Sequence, residues 1–196
     1  MQKTKLENPY LEIFETEALH TFNFSQLTTE KNVFQRRDEL VGEYSWAVPN
    51  QDAIDIIASC TPIIEIGAGT GFWAYLIEQA GGVCYAYDDF SWKNCTNARV
   101  HFKKIWTNVR EGSFEKIKDH PDSTLFLCWP PYRDPLALNC LNTYEGNTLL
   151  YVGERDGCTG CGEFQALIDK EWEEINSIQI PQYFGIHDYL MVLKRK

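Results

Sequence analysis

The stretch Ile63-Ile64-Glu65-Ile66-Gly67-Ala68-Gly69-Thr70-Gly71-Phe72-Trp73 decides how this chain is to be read. An apolar segment of strand character runs straight into glycines at alternate positions and then into an apolar segment of helix character. Glycine lets the backbone turn sharply and lets a ligand come close to it. The helix that follows begins with N–H groups that have no intrahelical partner. The stretch therefore reads as a loop that cradles a nucleotide. Its spacing also separates cofactor classes. The dinucleotide pattern G-x-G-x-x-G needs glycine at 72, where this chain has Phe72, and the pattern here is G-x-G-x-G with Glu65 two residues ahead. A nicotinamide oxidoreductase is thereby a distant alternative.

Just downstream, Val83-Cys84-Tyr85-Ala86-Tyr87-Asp88 is rich in β-formers and ends in an acid, with Asp88 standing 19 residues beyond Gly69. That is close to the interval a strand–helix–strand unit imposes. Alternation of strands and helices continues on both sides. Upstream, Thr28 or Thr29 caps a helix containing Val33, Phe34, Leu40 and Val41, and Asn50 caps another bearing Ala53, Ile54, Ile56 and Ile57. Downstream, expected strands are Lys104 to Arg110, Ser123 to Trp129 and Thr148 to Val152. Asp134-Pro135 supplies an N-cap and first helical residue for Leu136 to Tyr144. A helix over about Glu163 to Glu174 puts Phe164, Leu167, Ile168 and Trp172 on one face, and strands near Ser177–Pro181 and Tyr189–Leu193 close the chain. Residues 1–30 mix aromatic and polar residues without sustained periodicity. They read as an extension that packs on the core and could cover the site.

The arrangement E-x-G-x-G-x-G at the end of a first strand resembles the first motif of class I S-adenosylmethionine-dependent methyltransferases. The resemblance implies an open α/β sheet, mostly parallel, with an antiparallel C-terminal strand and helices on both faces. It divides the chain into an N-terminal helical extension, 1–43, and one methyltransferase-like domain, 44–196. It further implies S-adenosyl-L-methionine as cofactor, with the turn of Glu65, Gly67, Ala68, Gly69, Thr70 and Gly71 facing its methionine part and Asp88 accepting from its ribose hydroxyls. Many members hold the adenine amine with an acid after the third strand. Here Val109-Arg110-Glu111-Gly112-Ser113 offers Glu111 or Ser113 instead.

A second cluster, Leu127-Cys128-Trp129-Pro130-Pro131-Tyr132, falls at the carboxyl end of the fourth expected strand, where open α/β sheets bind ligands. Two prolines fix the backbone and expose carbonyls without adding N–H donors, which makes a rigid acceptor wall beside an aromatic ring. The segment resembles the (Asp/Asn/Ser)-Pro-Pro-Tyr motif of amino-directed methyltransferases. That resemblance implies Pro130, Pro131 and Tyr132 as lining of the active site, with Tyr132 stacking on the acceptor. Trp129 stands where the polar first residue belongs, and its side chain cannot accept a hydrogen bond. Tyr44-Ser45-Trp46-Ala47-Val48-Pro49 resembles the proline-containing segment that flanks the cofactor in the same enzymes.

Further candidates follow from position. Glu154 or Asp156, in the loop after the fifth strand, binds a cationic substrate or acts as base, or else belongs to a solvated acidic turn. His187, opening the last strand, is placed to take the proton that methylation releases, or is a hydrogen-bonded structural residue. Of the tryptophans, Trp46, Trp92 and Trp129 suit an aromatic cage for a flat or cationic substrate, while Trp73 and Trp172 suit helix packing. Cys158-Thr159-Gly160-Cys161 has zinc or redox spacing, but no second C-x-x-C or H-x-x-x-H completes a tetrahedral set, so no metal is expected.

Composition bounds the partners. Eighteen Lys and Arg against 28 Asp and Glu, a formal charge of −10, disfavour duplex nucleic acid, and no run suits a signal peptide or a membrane span. The expectation is a cytoplasmic protein that transfers a methyl group to a small-molecule or protein acceptor. The alternative is a catalytically silent relative that binds a partner through its acidic, aromatic surface.

Overall fold

A computed structural model describes residues 6–21, 33–94, 102–155 and 157–196. Thr28, Thr29 and Asp156 lie outside the described residues. In chain order the elements are α1 (Pro9–Thr16), α2 (Val33–Glu43), α3 (Gln51–Ser59), β1 (Ile63–Ile66), α4 (Phe72–Gln79), β2 (Cys84–Asp88), β3 (Arg110–Glu111), β4 (Thr124–Cys128), α5 (Leu136–Thr143), β5 (Thr148–Gly153), α6 (Gly162–Glu171), β6 (Trp172–Gln179) and β7 (Tyr189–Arg195). Single 3-10 turns occupy Ser91–Asn94 and Phe114–Asp119.

The strands form one sheet in the order β3-β2-β1-β4-β5-β7-β6. The first five pair in parallel, and β7 runs antiparallel to both β5 and β6. This is the expected open α/β fold with its antiparallel ending. Period-2 alternation sorts the side chains between two cores. Ile63, Phe126, Leu150 and Val192 face the layer of α1 to α4, where Ile54, Ile57, Phe72 and Leu76 meet them. Ile64, Leu125, Leu149 and Met191 face α5 and α6, against Leu141, Phe164 and Ile168. Both faces of the central strands are covered, which is why these strands read as unbroken apolar runs.

The structure gives the N-terminal extension its detail and corrects the reading at three places. The N-terminal segment is helical over α1, started by Asn8, whose side chain accepts from Leu11 N (3.0 Å), with Pro9 in the first turn. That Asn-Pro pair was the available signal. Tyr10 is fully buried, stacks on Tyr44 (4.8 Å between ring centroids) and shares a hydrogen bond with Tyr183 (3.1 Å). The third strand is two residues, not seven. Upstream of it the backbone is engaged elsewhere, with Lys103 N donating to Gly42 O (2.7 Å) and Trp106 N to Thr70 O (2.8 Å). The Trp106 ring joins Tyr44, Phe72 and Tyr75, so 102–109 lies over the glycine turn rather than along the sheet. The last helix stops at Glu171, and Trp172 already belongs to β6. Finally, Pro135 rather than Asp134 is the residue before α5, although Asp134 Oδ1 does accept from Leu136 N (2.8 Å).

Candidate functional site

Strand order reverses between β1 and β4, and the crevice at their carboxyl ends is where this architecture binds ligands. A cavity of about 420 Å³ opens there. The glycine turn forms its floor. Gly67 N and Ala68 N both donate to Tyr87 O (2.9 and 3.0 Å), which ties the turn to β2. Gly67, Gly69 and Gly71 have φ of +77°, +55° and +72°, a region that costs a side chain strain. At Gly71 an added Cβ would also sit 2.5 Å from Val109 Cγ2, so this glycine serves packing as well as turning. Thr70 Oγ1 donates to Tyr44 O and accepts from Phe72 N (3.2 Å), which fixes the entry to α4.

Asp88 closes β2 beside that floor and is buried. Its Oδ2 accepts from Gly69 N (2.8 Å), and its Oδ1 accepts from Phe90 N (2.7 Å) and Trp92 Nε1 (3.0 Å). Burial raises its pKa, and these three donors oppose the rise. An ionised carboxylate has about four acceptor sites, so about one, on Oδ2, is left for a ligand while Trp92 holds its place. Glu65 is more deeply buried, and burial pushes its pKa up to about 8, with the charge of Asp88 adding to the effect. Among the described residues its Oε2 and the Nε1 of Trp73 have no hydrogen-bond partner, and both residues border a pocket of about 20 Å³ behind the turn.

The facing wall is the end of β4. Trp129, Pro130 and Pro131 line the cavity together with Trp46, Trp92 and Asp134. Trp129 takes a left-handed φ of +50°, rare for a bulky residue, and its Nε1 donates to Asp188 Oδ2 (2.7 Å). Its ring stacks on Trp46 (5.8 Å, 14°). Trp92 stands apart from that pair, edge-on to Phe102 (5.0 Å), so the three indoles share the cavity without closing a single cage. Ser113 lines the cavity but Glu111 does not. The ionisable lining is acidic, Asp88, Asp89 and Asp134, with no lysine or arginine among the described lining residues. Such a field favours a cationic occupant.

The three residues expected to act in catalysis are not brought to this cavity. Tyr132 is 55% exposed, packs under Arg133 (5.0 Å from guanidinium carbon to ring centroid) and borders a separate cavity beside α6. The backbone turns outward at Pro131, and Arg133 N is pinned to Gly160 O (2.8 Å). Glu154 is buried as a staple, its Oε1 accepting from His187 N (2.7 Å) and its Oε2 from Cys158 N (3.3 Å). The His187 side chain is exposed beside Tyr183 and Phe184 on another surface. Reading the sequence also missed residues. Phe102 lies over Gly69, 3.0 Å from where a Cβ would be, and Asn139 of α5 reaches the cavity. Arg37 of α2 is 94% buried by its 6% exposure and lies 5.2–5.4 Å from the ring centroids of Trp46, Trp129 and Tyr183. No local signal marks an arginine for such a place. Cys158 and Cys161 are free thiols, and among the described residues no group of three or more His, Cys, Asp or Glu converges as a metal site. No helix among them is long and apolar enough to cross a membrane.

No protein-family model and no curated protein matches the sequence. Solved structures do match in chain trace. Magnesium protoporphyrin IX methyltransferase from Synechocystis, with bound SAM, is 11% identical, covering 98% of this chain and all of that one (100%), with a TM-score of 0.47. An rRNA methylase from Streptococcus thermophilus is 12% identical over 74% of this chain and 94% of its own, with a TM-score of 0.44. The B. subtilis M1A22 tRNA methyltransferase is 11% identical over 76% and 67%, with a TM-score of 0.45. Of two longer matches, one complexed with SAH and one from Streptococcus mutans, this chain spans about half (48% and 49%).

Proposed function

We propose that this chain is an S-adenosylmethionine-dependent methyltransferase that binds its cofactor between the ends of β1 and β4 and transfers the methyl group to a small-molecule or protein acceptor. One observation carries the reading. A buried carboxylate at the end of β2, held against the glycine turn by Gly69 N–H, borders a cavity whose ionisable lining is acidic. S-adenosylmethionine carries a sulfonium and an ammonium, so an acidic lining suits it better than a phosphate-bearing dinucleotide. Asp88 has acceptor capacity left for a ribose hydroxyl, and taking both hydroxyls requires Trp92 to give up its bond to Oδ1. Glu65 offers an unpaired oxygen behind the turn, on the side where the methionine part belongs.

When bound, the cofactor supplies an electrophilic methyl group on sulfur. The chain's contribution is position and dryness. Trp46, Trp129, Pro130 and Pro131 form an aromatic and proline wall at the end of β4, with Trp92 on the Asp88 side, and together these surfaces orient an acceptor and exclude water. Tyr132, Glu154 and His187 stand outside that space and receive no role in proton transfer.

Isothermal titration with S-adenosylmethionine and S-adenosylhomocysteine tests the proposal. Binding of both is expected, with Asp88→Asn weakening it at least about tenfold. A thermal melt of the variant checks that it is folded. Absence of binding to the folded wild-type protein would sink the proposal and favour the catalytically silent relative.

A further inference from the structure

Arg37 carries a charge that the proposed cofactor site does not use. Its Nε and Nη2 are buried and have no hydrogen-bond partner among the described residues. These two atoms form one edge of the guanidinium, the edge that grips a carboxylate side-on. The preceding residue shows it in use: Arg36 donates through Nε and Nη2 to Glu17 Oε2 and Oε1 (2.8 and 2.6 Å). On Arg37 the same edge is empty. Leaving two charged donors dry is costly, so the position calls for an acceptor group.

The surroundings specify that group further. Asp188, at the Nε1 edge of the Trp129 ring and within electrostatic reach of Arg37, is 2% exposed, and its Oδ1 has no hydrogen-bond partner among the described residues while Oδ2 holds Trp129 Nε1. Two unpaired donors over the face of the Trp129 ring and one unpaired acceptor at its Nε1 edge therefore adjoin one indole. A lone anion satisfies only the arginine. A carboxylate with a hydroxyl or amine on the adjacent carbon satisfies both. Tyr183 and the Trp46–Trp129 pair supply flat apolar walls, and these two tryptophans also line the cofactor cavity. One layer of indole thus separates the unpaired groups from the transfer site. Trp129 has a left-handed backbone and is held by its bond to Asp188 and its stack on Trp46, so a ligand reaching Arg37 from the cavity has to displace that indole.

We propose that Arg37 and Asp188 form the acceptor-recognition subsite, Arg37 taking the carboxylate of a small aromatic 2-hydroxy or 2-amino acid and Asp188 its hydroxyl or amine, with Trp129 swinging aside to admit it. This rests on the methyltransferase reading for its purpose, but its binding chemistry is separable. Charge supports it, since the Arg37 guanidinium lies over both rings of the Trp46–Trp129 wall.

The test is calorimetric titration of the full chain with mandelate and with phenylacetate, which lacks the hydroxyl, alongside tryptophan fluorescence. Saturable binding of mandelate is expected, with an emission change as Trp129 moves and several-fold weaker binding of phenylacetate. Arg37→Met keeps most of the packing volume and should weaken mandelate at least about tenfold, and Arg37→Lys, which lacks the fork, should lose nearly as much. S-adenosylhomocysteine affinity should be the same in wild type and both variants. No mandelate binding by wild type at millimolar concentration, or equal binding by wild type and Arg37→Met, overturns the proposal. Equal affinity for the two acids overturns the part assigned to Asp188. A wild-type protein that binds mandelate but not S-adenosylhomocysteine refutes the methyltransferase reading and leaves this subsite standing.

Discussion

Glu65 offers the sharpest quantitative prediction. Its carboxyl is 1% exposed with one oxygen unpaired, and burial shifts its pKa from 4.5 to about 8. In the unfolded chain the group ionises near its ordinary value. Between roughly pH 5 and pH 8 the folded protein therefore holds a proton that the unfolded chain has lost. Stability from this group is fully present below about pH 4.5 and drains away as pH rises through about 8. One proton difference corresponds to a little over 1 kcal/mol per pH unit, or about 3 kcal/mol between pH 5.5 and 7.5. Glu65→Gln cannot ionise and should lack this slope. The assay is urea unfolding of both proteins across that interval, reading the difference between them so that Asp88 and Asp188, whose pKa values burial also raises, cancel. The variant should gain on wild type steadily and be the more stable above pH 7. If the two curves stay parallel from pH 5.5 to 7.5, Glu65 is ionised throughout and the account of its burial is wrong. The same logic bears on function, because a cationic ligand that draws the charge onto Glu65 must release a proton, so wild-type affinity for S-adenosylmethionine should rise with pH and that of Glu65→Gln should not.

Other outcomes follow from particular contacts. Gly71→Ala places a Cβ 2.5 Å from Val109 Cγ2 at a φ of +72° and should cost about 2–3 kcal/mol in urea unfolding, and a loss below 0.5 kcal/mol would mean that the 107–109 segment yields freely. Thr159→Val removes a hydroxyl that bonds Tyr151 and both backbone groups of Glu154, and should cost about 2–4 kcal/mol by chemical denaturation, whereas a neutral result would show that network to be dispensable. Tyr132→Ala, at an exposed position, should change stability by less than about 0.5 kcal/mol and leave S-adenosylhomocysteine affinity unaltered in titration; a large change in either would place the ring elsewhere.

What could be read without coordinates was whatever local chemistry compels. Apolar runs at 63–66, 124–128 and 148–153 had to be strands covered on both faces, and the glycines at 67, 69 and 71 had to mark a turn, since no other residue tolerates three left-handed positions so cheaply. Asn50 capped its helix as expected, accepting from Ala53 N (3.0 Å), because a cap depends on only a few neighbouring residues. The acid ending β2 likewise reached the turn, since a parallel pair of fixed register puts Asp88 beside it.

The rest depended on contacts between residues far apart in the chain. Whether 104–110 is a strand turned on Trp106 finding Tyr44, Phe72 and Thr70, all remote in sequence. Tyr132 and Glu154 looked like site residues from their place after β4 and β5, but the bonds between Arg133 and Gly160 and between Glu154 and the His187 backbone turned one outward and made the other a staple. Arg37 of α2 and Asp188, the residue before β7, both reach Trp129 although they stand far from it in the chain. Strand and turn are set by a few consecutive residues, while the direction of a side chain and the company it keeps are set by the packing of segments tens of residues apart or more. That is why the chain alone announced the glycine turn, and only the folded protein brings together the groups that surround it.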